Sequence, residues 1–129
     1  MKNRSEAVLI TGCSTGIGRA TAERLAAAGH TIYATARNES SIEDLEDLGC
    51  RTLALDVTDE ASMKAAVDAV VAEEGAVGAL VNNAGYSQSG AIETVAMEDV
   101  RRQFETNVFG LIRMCQLVLP GMREQGAGR

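Results

Sequence analysis

The 129-residue sequence predicts an α/β fold: a doubly wound parallel sheet with helices on both faces, giving three α/β/α layers. Three observations predict it. Short apolar runs alternate with amphipathic segments in the order β-α-β-α-β-α-β-α, with no internal repeat. Hydrophobic residues make up 46% of the chain but aromatics only 3%, so Val, Ile, Leu, Ala and Met must form the core, as in helices packed on a parallel sheet. The glycine-rich and polar stretches fall just past the carboxyl ends of the expected strands, where such sheets bind ligands.

The elements follow in order. "AVLITG" (7–12) is an apolar run ending in Gly, the pattern of a strand buried on both faces. A helix rich in Ala and Leu runs from about Ile17 to Ala28 and is stopped by Gly29. "TIYATAR" (31–37) is β-branched and aromatic, a second strand; "SIEDLEDL" (41–48) is a short acidic helix ended by Gly49. "CRTLALDV" (50–57) gives the third strand, and "TDEASMKAAVDAVVAEEG" (58–75) a helix capped by Thr58 or Asp59. "AVGALVNNAG" (76–85) supplies the fourth strand. After a Ser/Gly-rich loop, apolar residues at 97, 100, 104, 108, 111, 112, 115, 118, 119 and 122 describe one face of a long helix, with Pro120 near its end. Right-handed crossovers are expected between the parallel strands, and the first half of such a doubly wound sheet has the order 3-2-1-4.

Between the first strand and the first helix lies "TGCSTGIG" (11–18). Gly12 permits the tight turn, Gly16 lets a pyrophosphate approach the backbone, and Gly18 allows close packing of helix and strand. Ser14 and Thr15 add hydroxyl donors, and the helix opened by Ile17 offers free N–H groups and a partial positive charge to phosphates. An ordinary glycine-rich turn is the plain alternative. A P-loop is excluded, because the closing Lys-Ser/Thr pair is missing. The second strand ends in Arg37, with no acid until Glu39, whereas an acid there would hold the ribose 2′-hydroxyl of NAD(H). A guanidinium suits the 2′-phosphate of NADP(H), a contact worth roughly 1.5–3 kcal/mol. NADP(H) is therefore favoured over NAD(H). Arg37 as a plain solvent-facing strand end, or stacked on adenine without selecting a cofactor, is the other reading.

Charge and cysteines narrow the classes. The net charge of −6 divides into +3 over residues 1–37, −9 over residues 38–74 and zero beyond. No basic stripe exists for nucleic acid, and the acidic middle reads as a solvated helix surface. No run of 18 apolar residues is present for a membrane span, and the N-terminal apolar run is too short for a secretory signal. Cys13, Cys50 and Cys115 lack metal-ligand spacing, and their odd, scattered number fits a reducing, cytoplasmic compartment. Cys13 is either a reactive thiol or a small residue tolerated in a turn. His30, after Gly29 at a helix end, is expected on the surface without a role.

Together, Thr11–Gly18, "LDVTD" (55–59), "NNAG" (82–85) and "TNVFG" (106–110) resemble the short-chain dehydrogenase/reductase family over essentially the whole chain. "TGCSTGIG" with "YATAR" is most similar to members acting on hydroxysteroids or retinoids. The resemblance implies a Rossmann-like nucleotide-binding domain over residues 1–129 and hydride transfer between NADP(H) and an alcohol or carbonyl substrate. It implies that Asn83, Ala84 and Gly85 stabilise the sheet and line the adenine-ribose side of the cofactor, with Asn83 bound by backbone and ligand. It implies that Asp56 and Val57 flank the adenine; Asp56 as a helix cap is the alternative. It also implies that Asn107 holds a water of the proton relay, against a structural Asn bonded to its own helix.

The family's chemistry further requires a Tyr followed four residues later by Lys, and a Ser. Here Tyr33 is followed by Arg37 and Tyr86 by Gly90, and the only lysines are Lys2 and Lys64. The sequence is therefore expected to be the N-terminal half of the fold, truncated ahead of its catalytic half and inactive alone. The family's next strand would begin after "GAGR" (126–129). An uncovered fourth strand and an apolar helix face then predict a homo-oligomer.

Overall fold

The structure is a computed structural model that describes residues 3–129. Four parallel strands, β1 (Val8–Ile10), β2 (Ile32–Ala36), β3 (Arg51–Ala54) and β4 (Ala79–Val81), lie in the order β3-β2-β1-β4. β1 pairs in register with both neighbours, Leu9 opposite Tyr33 on one side and Leu80 on the other. Because side chains alternate across a strand, β1 feeds two cores. Val8 and Ile10 join Ala22 of helix α1 (Gly16–Ala27), Ile32, Ala34 and the buried Ile42 and Leu45. Ala7 and Leu9 face the other way, onto Met63 and Val70 of α2 (Glu60–Glu74) and Met114 and Val118 of α4 (Leu111–Gln125). These are the three layers of a Rossmann-like fold.

Several elements differ from the expected ones. Residues Glu39–Leu48 form a 3₁₀ stretch in place of a short α-helix, begun by Asn38, whose side chain accepts from Ser40 N, and ended by Gly49 at φ +92°. Of the two expected caps of α2, Asp59 serves, accepting from Ala61 N and Ser62 N. The long final helix is divided: α3 (Met97–Phe104) leads through a π-helical stretch, Glu105–Gly110, into α4. Nor does its expected apolar face form one buried stripe. Gly110, Met114, Val118 and Met122, four residues apart, face the sheet, while Phe104, Val108, Leu111, Ile112 and Leu119 are exposed.

At the far edge, Arg129 N donates to Gly78 O at 3.1 Å and Leu80 N donates to Arg129 O at 2.8 Å, one rung of parallel pairing on the outside of β4. Among the described residues no helix is long and apolar enough to cross a membrane.

Candidate functional site

β1 turns into α1 through a loop that needs two glycines in left-handed conformation, Gly12 at φ +72° and Gly16 at φ +62°. They differ in surroundings. A Cβ on Gly12 would lie 2.9 Å from Ala84 Cα, whereas nothing lies within 4 Å of one on Gly16, so the backbone there faces open space. Ser14, Thr15 and Ile17 are exposed around that opening. Thr15 makes no side-chain cap and the first turn of α1 carries no acid. The other helix starts are answered from within the chain: Asn38 and Asp59 cap theirs, and α3 has Glu98 and Asp99 in its first turn. Unanswered N–H groups and the helix dipole thus converge beside a bare backbone.

The two asparagines that follow β4 point to different partners. Asn82 Nδ2 donates toward Cys115 Sγ of α4 at 3.4 Å. Asn83 Nδ2 donates to Thr11 O at 3.0 Å and to Gly12 O at 2.9 Å. In return, Thr11 Oγ1 accepts from Asn83 N at 3.0 Å and from Ala84 N at 2.9 Å. This reciprocal bracket ties the glycine loop to the loop after β4, and it gives Gly18 a sharper task than helix–strand packing. A Cβ on Gly18 would stand 2.3 Å from both Asn83 Nδ2 and Gly12 O. Gly18 keeps the space in which the bracket forms. Thr11, the first residue of the glycine motif, is the centre of that bracket. The available signal was a buried Thr closing an apolar strand.

The remaining expected site residues sit at the same end of the sheet. Arg37, one residue past β2, is exposed and has no ion pair among the described residues. Past β3, Asp56 Oδ1 accepts from Thr58 N at 2.9 Å and Thr58 Oγ1 at 2.7 Å, a turn that precedes the Asp59 cap and does not replace it. Val57 is buried beside it. Gly85 and Tyr86 continue the loop after β4, where Asn107 reaches them from the π-helical stretch. Its Oδ1 accepts from Tyr86 N at 3.0 Å and its Nδ2 donates to Tyr86 O at 2.7 Å. The Asn107 side chain is therefore bonded across to a neighbouring loop, and the alternative of a bond to its own helix does not hold.

Residues 6–129 match the family described as short chain dehydrogenase. The chain belongs to that family. It is 42% identical over 123 residues to a 3-ketodihydrosphingosine reductase of Bacteroides thetaiotaomicron, covering 95% of this chain and 44% of the relative. It is 36% identical over 132 residues to the 3-oxoacyl-(acyl-carrier-protein) reductase of Escherichia coli, covering 100% and 54%. A solved short-chain dehydrogenase from Streptomyces avermitilis superposes with a TM-score of 0.92 at 40% identity, over 98% of this chain and 48% of that one. The chain spans about half the length of the relatives it matches.

In this short-chain dehydrogenase chain the Tyr33 hydroxyl is engaged within the fold. Tyr33 is buried, donates to Glu74 Oε1 at 2.9 Å and accepts from Arg51. Burial, then the hydrogen bond to the Glu74 carboxylate, pushes its phenol up from the ordinary value. Cys13 points into the core with Sγ toward Ile10 O at 3.4 Å, and burial raises its thiol to about 11. That leaves it a protonated packing residue near neutral pH, so the reactive-thiol reading fails. His30 is exposed, as expected. Among the described residues no group of three or more His, Cys, Asp or Glu could hold a metal ion.

Proposed function

We propose that this chain carries the dinucleotide-binding half of an NADP(H)-dependent oxidoreductase of the short-chain dehydrogenase type. Bound, the nicotinamide cofactor supplies a hydride for exchange with an alcohol or carbonyl substrate. The observation that carries the reading is the uncapped start of α1, with no acid in its first turn, beside the open Gly16 backbone, in a loop that Asn83 ties down at Thr11 and Gly12. The pyrophosphate would lie there, with Ser14 and Thr15 as further donors. The exposed Arg37 at the neighbouring strand end supports the 2′-phosphate and hence NADP(H). Asp56 and Val57 would meet the adenine, and Ala84 and Gly85 the ribose. Asn83, with both amide hydrogens given to the glycine loop, has Oδ1 to offer.

The two reductases among the relatives support a carbonyl substrate, and their different substrate names keep the class at that level. Catalysis would need a Tyr and Lys from outside these residues, since Tyr33 is engaged with Arg51 and Glu74 and Tyr86 has Gly90 four residues on. Binding without turnover is therefore the activity to seek in the chain alone. Self-association through the outside of β4 or the exposed face of α3–α4, in a cytoplasmic setting, completes the proposal.

Titrating NADPH and NADH by cofactor fluorescence tests it. The chain should bind NADPH more tightly than NADH, and Arg37→Ala should weaken NADPH roughly 10–100-fold while leaving NADH nearly unchanged. Equal losses would remove the preference for NADP(H). No binding of either would remove the function.

A further inference from the structure

Gly110 closes the motif "TNVFG" and is buried at the end of the π-helical stretch. A Cβ built there would lie 2.6 Å from Val57 O, 2.9 Å from Val57 Cβ and 3.0 Å from Val57 Cγ2. The contact is local. Gly121, further along the same helix, would place its Cβ 3.4 Å from Ala76 Cβ, an ordinary van der Waals distance. Val57 and Asp56 form a short segment held from two sides. From α2, Ser62 Oγ accepts from Asp56 N at 2.9 Å; from the other side, the bare backbone of Gly110 rests on the Val57 carbonyl.

Resting on the dinucleotide reading above, we propose that Gly110 is a positioning residue for the cofactor's adenine end. Having no side chain, it lets the final helix close onto Val57. That contact fixes where the Val57 side chain and the Asp56 carboxylate stand beside β3. The backbone at Val57 cannot retreat freely, because Asp56 is bonded to Ser62 and Thr58. A methyl at 110 must therefore push residues 56–58 or lift the helix. Either movement displaces the adenine wall, while the glycine loop is held separately by the Thr11–Asn83 bracket.

The test compares two ligands on the same chain: NADPH, which has an adenine, and reduced nicotinamide mononucleotide, which has none. Gly110→Ala should raise the NADPH dissociation constant roughly tenfold. The mononucleotide should bind as it does to the parent chain. In amide NMR spectra the shifts should concentrate at Asp56, Val57 and Thr58, with Gly12 and Gly16 unmoved. Equal loss for both ligands, or intact NADPH affinity in a folded variant, overturns the proposal. Should Gly110→Ala not fold, Val57→Ala decides, and undiminished NADPH affinity there is the refuting result. A parent chain that binds no NADPH refutes the functional reading instead, and residues 56–58 unmoved in the Gly110→Ala spectrum would then refute the contact separately.

Discussion

The two sides of the sheet teach different things about the same kinds of residue. On one side, β2 is buried at all five positions, and even the 3₁₀ stretch beside it seals Ile42 and Leu45 completely. On the other, β4 is only half-buried at each of its three positions, and α3 buries none of its residues despite Met97, Val100 and Phe104 on one stripe. Ile42 and Leu45 are core on the first side, while Leu111, Ile112 and Leu119 are surface on the second. Apolar character alone does not place a residue inside; it does so only when the next layer is present to cover it. The β2 side is a sealed interior, and the β4 side leaves apolar side chains exposed.

Glycines sharpen this contrast most. On the finished side, Gly18→Ala would set a methyl 2.3 Å from Asn83 Nδ2 and Gly12 O, both of them fixed by hydrogen bonds to each other. Overpacking of that severity should cost about 3 kcal/mol, read as a lowered urea midpoint, and should release the Thr11–Asn83 bracket. On the open side, Gly121→Ala meets only Ala76 Cβ at 3.4 Å, within a helix. It should stabilise by roughly 0.5–1 kcal/mol through the lost flexibility of glycine. If the two substitutions move the midpoint alike, the division between sealed and open sides is wrong.

The cysteines give the next largest effect. Cys13 lies in the sealed core, and burial lifts its thiol from 9.0 to about 11. The folded state thus keeps a proton that the unfolded chain gives up. The stabilisation this provides is complete below pH 9 and declines as pH rises through 11, amounting to roughly 2–3 kcal/mol. Cys50, raised likewise by burial first, acts in the same direction. Unfolding free energies at pH 8 and pH 11 should therefore differ less in Cys13→Ala than in the parent chain. A parent chain as stable at pH 11 as at pH 8 would mean that the loop interior is wet.

How far the sequence revealed all this depends on whether a feature is local. Element order, strand order and the glycine loop were legible because alternation, short apolar runs and left-handed glycines are written in neighbouring residues. Asn83 was legible as a residue needing partners, but its partners, Thr11 and Gly12, are about seventy residues away and only the β1–β4 pairing brings them together. Thr11 was hidden for the same reason. The 3₁₀ stretch was missed because its acidic, Leu-spaced pattern fits either helix type, and packing of Ile42 and Leu45 under β2 and β3 decides between them. The final helix misled most. Its apolar pattern reads as one face, but only Val118 and Met122 of that face join Gly110 and Met114 in the buried stripe, while Phe104, Val108 and Ile112 are exposed. A list of apolar positions does not say which stripe the sheet selects.

That outward stripe carries the smallest expected effect on stability and the clearest on association. Phe104 and Phe109 are 51% and 55% exposed, so removing both rings takes little from the folded interior. Phe104→Ser combined with Phe109→Ser should change the unfolding free energy by about 0.5 kcal/mol or less per site. The same pair should lower the sedimentation coefficient at high concentration if copies of the chain associate through this face. Association through the outside of β4 predicts something else, because backbone pairing beyond the Arg129 rung does not involve the rings and would survive the change. A parent chain that sediments as a monomer at every concentration would count against self-association through either surface.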